Sequence, residues 1–256
     1  MQLKEFDSLE ILTFKNSKSE FQKHFHDSYV LSFIEKGTFI ENNLYGVTGN
    51  ILISHPYEVH ENKIFDDNPY TVTSLYINPD IIKYFSKQDN ISFPEKVIDN
   101  QALFNQFKHY FSELYAGNLE SNDLLIKGLN QLILTNGKKG AFQSEQHHYS
   151  FMPEILQYIN QKCNEKIRLD DLAQIAKQSK YSFIRQFKKS IGITPFEYVN
   201  LQRTIQAKRH LREGRSLIET ALSTGYYDQS HFSHYFKHYV GLSPHDYATR
   251  NILQDI

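Results

Sequence analysis

The sequence has no tryptophan, only two methionines and a single cysteine, Cys163, among its 256 residues. One cysteine cannot form an internal disulfide, which favours a reducing compartment. The first ten residues, MQLKEFDSLE, lack the apolar core of a secretion signal. Apolar runs elsewhere extend over only a few residues and are too short to cross a bilayer. These absences predict a cytoplasmic protein without a membrane-spanning segment.

Signature motifs of several enzyme classes are also missing. The chain contains no glycine-rich phosphate loop, no nucleophile elbow and no Cys-x-x-Cys pair. An enzymatic function would therefore depend on three histidines near the N-terminus, His24, His26 and His60. We predict no catalytic residue and no cofactor.

Charge is distributed unevenly along the chain, although the total is only −1. Residues 1–149 contain 13 basic and 19 acidic side chains, a net charge of −6, whereas residues 150–256 contain 15 and 10, a net charge of +5. A basic C-terminal part favours nucleic acid as its partner. Chance variation in surface charge would explain the same numbers, so charge alone does not decide the function.

The N-terminal region has the pattern of short β-strands. Residues 29–54, YVLSFIEKGTFIENNLYGVTGNILIS, contain β-branched and aromatic runs broken by glycines, and YTVTSLYI at 70–77 repeats this pattern. Such strands with regular turn signals predict a sandwich or barrel.

Between about 101 and 135 two amphipathic stretches predict an antiparallel helix pair. Its apolar positions are Leu103, Phe107, Tyr110, Phe111, Leu114, Leu125, Leu129, Leu132 and Ile133. These stripes exceed what packing on a small barrel requires, which predicts an exposed seam and a homodimer. The polar, aperiodic segment that follows, residues 137–149, is typical of an interdomain linker.

An internal repeat at an offset of 49 residues is the strongest signal. The matched pairs are Phe183 and Phe232, Phe187 and Phe236, Lys188 and Lys237, Gly192 and Gly241, Pro195 and Pro244, and Tyr198 and Tyr247. Each copy has the pattern of a short helix, a tight turn and a second helix. We predict two helix-turn-helix units, at about 169–191 and 216–240, joined by one helix over about 196–212.

Local signals support these helices. In the first copy Leu169, Leu172, Ala173 and Ala176 predict an inward face, and Ser179 is a predicted N-cap. In the second copy Ser216 and Asp228 are the predicted caps and Gly225 the turn, while Ile218, Ala221 and Leu222 are expected to face inward.

The second helix of each copy has a polar face opposite its aromatic anchors. The predicted DNA-contacting residues are Lys180, Tyr181, Ile184, Arg185 and Lys188 in the first copy, and Ser230, Ser233, His234 and Lys237 in the second. An arginine fork can bind guanine O6 and N7, and a lysine can bind phosphate. Either face alone is more typical of solvated surface than of a DNA contact. Its repetition after a cap and a turn favours two helices that enter the DNA major groove.

The C-terminal sequence resembles the AraC/XylS family of bacterial transcription regulators. The resemblance is carried by LDDLAQIAKQSKYSFIRQFKKSIGITPFEYV with Arg203, Ala207 and Leu211, and by SLIETALSTGYYDQSHFSHYFKHYVGLSPHDY. It implies transcription activation, often through contact with RNA polymerase, and base reading by Tyr181, Ile184, Arg185, Ser230, Ser233 and His234. His234 is a departure, because family members frequently have arginine there, which implies weaker or pH-sensitive reading by the second unit.

The N-terminal segments HFHDSYVLSFIEKGTF and GNILISHPYEVHE resemble the family's cupin-type sensing domain. His24, His26 and His60 lie at positions resembling the metal ligands of enzymatic cupins, and His-x-His on a strand directs both rings to one face. Val30 and Leu31 stand where a glutamate ligand is expected, and the sequence does not place Glu58. A metal site, polar lining of a ligand pocket and simple strand-end hydrogen bonding stay open. We predict no metal, and an effector pocket that contains the three histidines and Tyr29.

We therefore predict an α+β protein of two domains. Residues 1–136 form a cupin-like β-barrel with an accessory helix pair, 137–149 a linker, and 150–256 an all-helical, seven-helix DNA-binding domain. The predicted function is a sequence-specific regulator of promoter DNA, controlled by a small-molecule effector and activating through RNA polymerase. One alternative is a metal-dependent cupin enzyme with a DNA-binding tail. The other is a regulator whose N-terminal domain only dimerises.

Overall fold

The computed structural model describes residues 9–118, 122–140 and 149–249. The N-terminal strands are β1 Glu10–Ser17, β2 Phe21–His24, β3 Tyr29–Lys36, β4 Thr38–Glu41, β5 Leu44–Val47, β6 Ile51–Ser54, β7 His60–Ile64, β8 Tyr70–Ile77, β9 Ile91–Ser92, β10 Val97–Ile98 and β11 Lys138–Lys139. Helices α1 Pro79–Ser86, α2 Gln101–Tyr115 and α3 Asn122–Asn136 complete this part. We did not predict α1, which begins at Pro79 after the Asn78 cap.

Two antiparallel sheets form the body of the N-terminal domain. One has the strand order β1-β8-β3-β6-β10 and the other β2-β7-β4-β5. Successive side chains of a strand point to opposite faces. Along β3, Leu31 and Phe33 therefore pack towards α2 and α3, whereas Val30 and Ser32 face a cavity between the sheets. This alternation separates the helix-facing core from the cavity.

The apolar stripes of α2 and α3 are buried, so the expected exposed seam is wrong. All nine predicted positions belong to the core that these helices form with the five-stranded sheet. The apolar side chains of the two stripes pack against each other and against the sheet, so these stripes leave no exposed seam. The large apolar side chains exposed on this helix pair are Tyr115 and Leu134. The homodimer itself stays a prediction.

Residues 149–249 fold into seven helices, as expected. They are α4 Met152–Lys162, α5 Leu169–Ile175, α6 Lys180–Ile191, α7 Pro195–Arg212, α8 Leu217–Ser223, α9 Gln229–Val240 and α10 Pro244–Thr249. The two-domain α+β organisation is thereby confirmed. The boundaries of the 137–149 linker stay a prediction, because 141–148 lie outside the described residues and Lys138–Lys139 pair with β9.

The predicted helix starts are present. Ser179 accepts a hydrogen bond from Ser182 N, Ser216 accepts one from Glu219 N, and Asp228 accepts one from His231 N. Each cap satisfies an N–H group that the first helical turn leaves without a backbone partner.

Both recognition helices, α6 and α9, end at a glycine in the left-handed conformation, Gly192 and Gly241.

The inward face of α8 differs from the expectation. Ala221 is buried, but Ile218 and Leu222 are each 61% exposed. Thr220 and Thr224 are buried instead, and the Thr224 hydroxyl donates to the Thr220 carbonyl at 2.7 Å. A threonine can face the core when its hydroxyl bonds to the preceding helical turn. The helix is therefore rotated from the orientation that apolar side chains alone predict.

The two domains contact each other where α7 and α9 pack on the N-terminal sheets. Helix α7 supplies Lys208, whose ammonium lies 2.8 Å from the Glu10 carboxylate of β1. Phe25 is part of the core of the first helix-turn-helix unit, and Leu12 is part of the core of the second. Because β-domain side chains complete the cores of the helical domain, the DNA-binding units and the barrel are physically connected.

Candidate DNA-binding surface and interdomain pocket

The first candidate surface is the outer face of α6. Phe183 and Phe187 are fully buried and fix the rotation of the helix. The opposite face then carries Tyr181, which is 79% exposed, together with exposed Arg185 and Lys188 and a partly buried Ile184. This face therefore combines two cations with an aromatic and an aliphatic group, which suits both phosphate and base contacts.

Arg185 is available for an external partner. Among the described residues it has no hydrogen bond or ion pair, so it is not held by a surface carboxylate. Lys180 differs, because its ammonium lies 2.6 Å from the Asp170 carboxylate of α5. This pair links the two helices of the first unit across its turn, and it gives Lys180 an intramolecular role beside its predicted contact with DNA.

The second candidate surface is the outer face of α9. Phe232 and Phe236 are fully buried, while Ser230, His234 and Lys237 are exposed and Ser233 is partly buried. Tyr227, immediately before the Asp228 cap, is 87% exposed and was not predicted. The sequence signal for Tyr227 is its position as an aromatic residue directly before the Asp228 cap of α9. The structure thus presents all nine predicted residues on two helix faces, and their DNA contacts stay a prediction.

A cavity of about 50 Å³ lies between the N-terminal sheets and the DNA-binding domain. Side chains of both sheets line it, and Leu201, Thr204, Ile205 and Lys208 of α7 with Tyr239 and Val240 of α9 complete it. Helix α7 joins the two recognition helices, and α9 is the second of them. A molecule in the cavity would therefore contact both domains.

Three of the four predicted pocket residues come together at this cavity. The ring centroids of His24 and His60 are 4.4 Å apart, and that of His26 lies 4.8 Å from His24 and 5.2 Å from His60. Burial lowers the pKa of all three imidazoles, and the negative charge of Glu41 partly opposes this effect at His60. The three rings are therefore neutral near pH 7.

Tyr29 does not belong to this cluster, so its assignment to the pocket is corrected. It lies on the helix-facing side of β3, and its hydroxyl donates to the Ile91 carbonyl at 2.6 Å. The physical reason is the strand alternation, which directs Val30 and Ser32 to the cavity instead. Glu58 is also elsewhere, because its carboxylate contacts His55 and Lys96.

Several polar pocket residues were not predicted, among them Tyr76, Lys208 and Glu41. Tyr76 of β8 contacts His26 edge to face, with ring centroids 5.1 Å apart. The Lys208 ammonium lies 4.7 Å from the centre of the Tyr76 ring. Glu41 is buried and accepts hydrogen bonds from Ser54 and Asn62. The alternation of β8 could have identified Tyr76, but no local signal brings Lys208 to strands about 130–200 residues earlier in the chain.

None of the helices in the described part of the chain is both long and apolar enough to span a bilayer. Family models match two parts of the sequence, an AraC-like ligand binding domain at residues 8–134 and a helix-turn-helix domain at residues 172–250. The first contains the histidine cluster, and the second contains both candidate recognition helices. The two matches therefore coincide with the two sites that the structure describes.

Curated relatives match along most of the chain. The uncharacterized HTH-type transcriptional regulator YbfI of Bacillus subtilis (strain 168) is 29% identical over 234 residues, which cover 87% of this chain and 85% of that protein. The HTH-type transcriptional activator RhaS of Klebsiella pneumoniae (strain 342) is 23% identical over 253 residues, which cover 90% and 88%.

Solved structures show the same fold. An apo ToxT variant from Vibrio cholerae has a TM-score of 0.63 at 14% identity and covers 94% of this chain and 97% of its own. Wild-type ToxT with a bound unsaturated fatty acid has a TM-score of 0.60 at 13% identity and covers 94% of each chain. With both domain models matched and this two-domain fold, the chain belongs to the AraC/XylS family of DNA-binding transcription regulators.

Proposed function

We propose that this regulator activates transcription from promoters that it binds through α6 and α9, under the control of a small effector in the interdomain cavity. The observation that carries the proposal is the pair of capped recognition helices, each with buried aromatic anchors and an exposed polar face. RhaS relatives, which are named as activators, support activation. We further infer a regulatory role without catalysis, exercised in the cytoplasm, where promoter DNA and RNA polymerase are present.

Binding to promoter DNA is expected to weaken steeply with salt. Four exposed cations on the two faces, Lys180, Arg185, Lys188 and Lys237, would displace counterions from phosphates. With about four such contacts, affinity should fall roughly 100-fold between 50 and 200 mM salt. Mobility-shift titrations of the full chain on its own upstream region measure this slope.

Unrelated DNA of equal length is the control for specificity. Equal affinity for both DNAs at 150 mM salt would contradict sequence-specific regulation. Absence of binding at every salt concentration would contradict DNA binding by this chain altogether.

The size and lining of the cavity favour a small polar effector. About 50 Å³ is a few times the ~10–15 Å³ that one water molecule needs. Ser32 and Ser74 hydrogen-bond to each other at 3.0 Å in its wall. Replacing Ser74 with leucine adds a side chain that fills the cavity, whereas Thr71 lies on the other face of β8 and is a matched control.

Ser74→Leu is expected to abolish effector-dependent expression from a promoter reporter while DNA binding is retained. Thr71→Leu should leave the response within about two-fold of wild type, because a substitution outside the site rarely disturbs it. Native mass spectrometry of both purified variants reports whether an organic ligand is carried. A folded Ser74→Leu variant with a full response would show that the effector binds elsewhere.

We also propose that two chains associate through the outer surface of α2 and α3. Leu134 is 84% exposed on α3, and Tyr115 is exposed at the end of α2. Leu134→Glu should shift the chain towards monomer in sedimentation equilibrium at micromolar concentration. Val47→Glu, on the exposed edge of the other sheet, is the control. A wild-type chain that is monomeric with and without DNA contradicts this interface.

A further inference from the structure

Three imidazoles of the N-terminal domain lie together at the wall of the cavity. His24 of β2 is directly opposite His60 of β7 in the antiparallel register. His26 lies two residues beyond the end of β2, and its ring contacts those of His24 and His60. One potential ligand nitrogen from each ring lies within 4.8 Å of the other two. Strand pairing thus places His24 beside His60, and the segment that follows β2 brings His26 to them.

Hydrogen bonds determine which nitrogen of two rings faces the cavity. His24 Nδ1 lies 2.7 Å from the Gln22 carbonyl oxygen, and His60 Nδ1 lies 2.9 Å from the Glu58 carbonyl oxygen. A carbonyl only accepts, so Nδ1 carries the hydrogen in both rings and Nε2 holds a lone pair. Across the described ranges neither Nε2 has a protein hydrogen-bond partner.

This pattern is the one that metal-binding histidines show. Such histidines donate their second ring N–H to a carbonyl or carboxylate, which fixes the orientation of the ring and leaves the other nitrogen for the ion. Neutral imidazoles suit zinc, cobalt, nickel, copper and iron. Glu41 adds a buried negative charge to the wall of the same cavity, and its field favours a cation beside His60.

We propose that His24, His26 and His60 bind one divalent transition-metal ion of the Zn²⁺ or Co²⁺ type in the interdomain cavity. Zinc–nitrogen bonds of about 2.0–2.1 Å place two ligand atoms of one tetrahedral ion roughly 3.3 Å apart. Ring rotations that move the nitrogens by about 1–1.5 Å bring this set to that spacing. Three protein ligands leave a position open towards the cavity, which has room for water or a small ligand atom.

The proposal goes beyond the regulatory function and does not depend on it. A metal ion at these histidines would lie beside Tyr76 and close to α7, since Lys208 of that helix is part of the same cavity wall. The ion would thus be part of the surface on which the barrel and the DNA-binding domain meet.

The test uses Co²⁺ as a spectroscopic probe on the full chain after treatment with a chelator. The wild-type protein is expected to bind one Co²⁺ per chain, with a saturable visible absorption typical of low-coordinate cobalt, and Zn²⁺ should displace it. His24→Gln, His26→Gln and His60→Gln should each weaken binding at least 100-fold, because each removes one of three ligands. His109→Gln, at an exposed histidine of α2, is the matched control and should bind like wild type.

His26 is only partly buried, so its variant keeps the test decisive if the two others fail to fold. Circular dichroism melts confirm folding of each protein. Absence of saturable Co²⁺ and Zn²⁺ binding in the wild type overturns the proposal, as does unchanged affinity in a folded His26→Gln variant. Promoter binding by the same metal-free chain is measured in parallel. If the chain binds its promoter but no metal, the metal site alone is rejected.

Discussion

Arg185→Ala is expected to weaken binding to the cognate promoter by roughly 5- to 150-fold and to relax the preference at one base position. A bidentate arginine–guanine contact discriminates between bases by about 1–3 kcal/mol. Arg185 suits this role, because it is exposed on α6 and the described structure gives it no competing carboxylate. The measurement is a set of binding titrations on the cognate site and on a library of its single-base variants.

Lys188→Ala is the matched control, one turn further along the same face. Lysine contacts to phosphate position the protein without reading sequence, so this variant should weaken binding to all members of the library about equally. If Arg185→Ala also lowers affinity uniformly and leaves every base preference intact, Arg185 contacts phosphate and base reading belongs to other residues.

Glu10→Gln is expected to destabilise the contact between the two domains by about 3 kcal/mol. Glu10 is buried, and its carboxylate lies 2.8 Å from the Lys208 ammonium and 3.6 Å from the Arg212 guanidinium. Both cations come from α7 and are themselves mostly buried. Removing the carboxylate leaves two desolvated positive charges close together. A buried charge without its partner lowers the free energy of unfolding more than the loss of the whole pair does.

Asp27→Asn is the control, because it removes a second ion pair across the same contact. The Asp27 carboxylate lies 3.1 Å from the Arg209 guanidinium, but the arginine side chain is 60% exposed. Exposed pairs contribute only about 0–1 kcal/mol. Calorimetry should resolve separate unfolding of the two domains in Glu10→Gln and a near wild-type transition in Asp27→Asn. Equal effects of the two substitutions would contradict the dependence on burial.

The helical domain illustrates how far sequence reasoning extends. The caps at Ser179, Ser216 and Asp228 were predictable because capping needs a side chain and a backbone N–H only two or three residues apart. The orientation of α8 was not, because threonine counts as polar in a sequence pattern, whereas Thr224 faces the core with its hydroxyl bonded to the Thr220 carbonyl. Apolar periodicity misjudges a helix with so few residues.

The amino-acid sequence by itself determined the family, the repeat and the two outward helix faces, since these depend on short spacings within one helix or one turn. Tertiary structure alone decided which residues share the interdomain cavity. Strand register placed His24 opposite His60, and alternation on β3 turned Tyr29 away from both. Packing of α7 on the barrel brought Lys208 to Tyr76 and Glu10. The contacts of Lys208 join residues more than a hundred positions apart, and all of these contacts depend on how whole elements pack, which no local pattern contains.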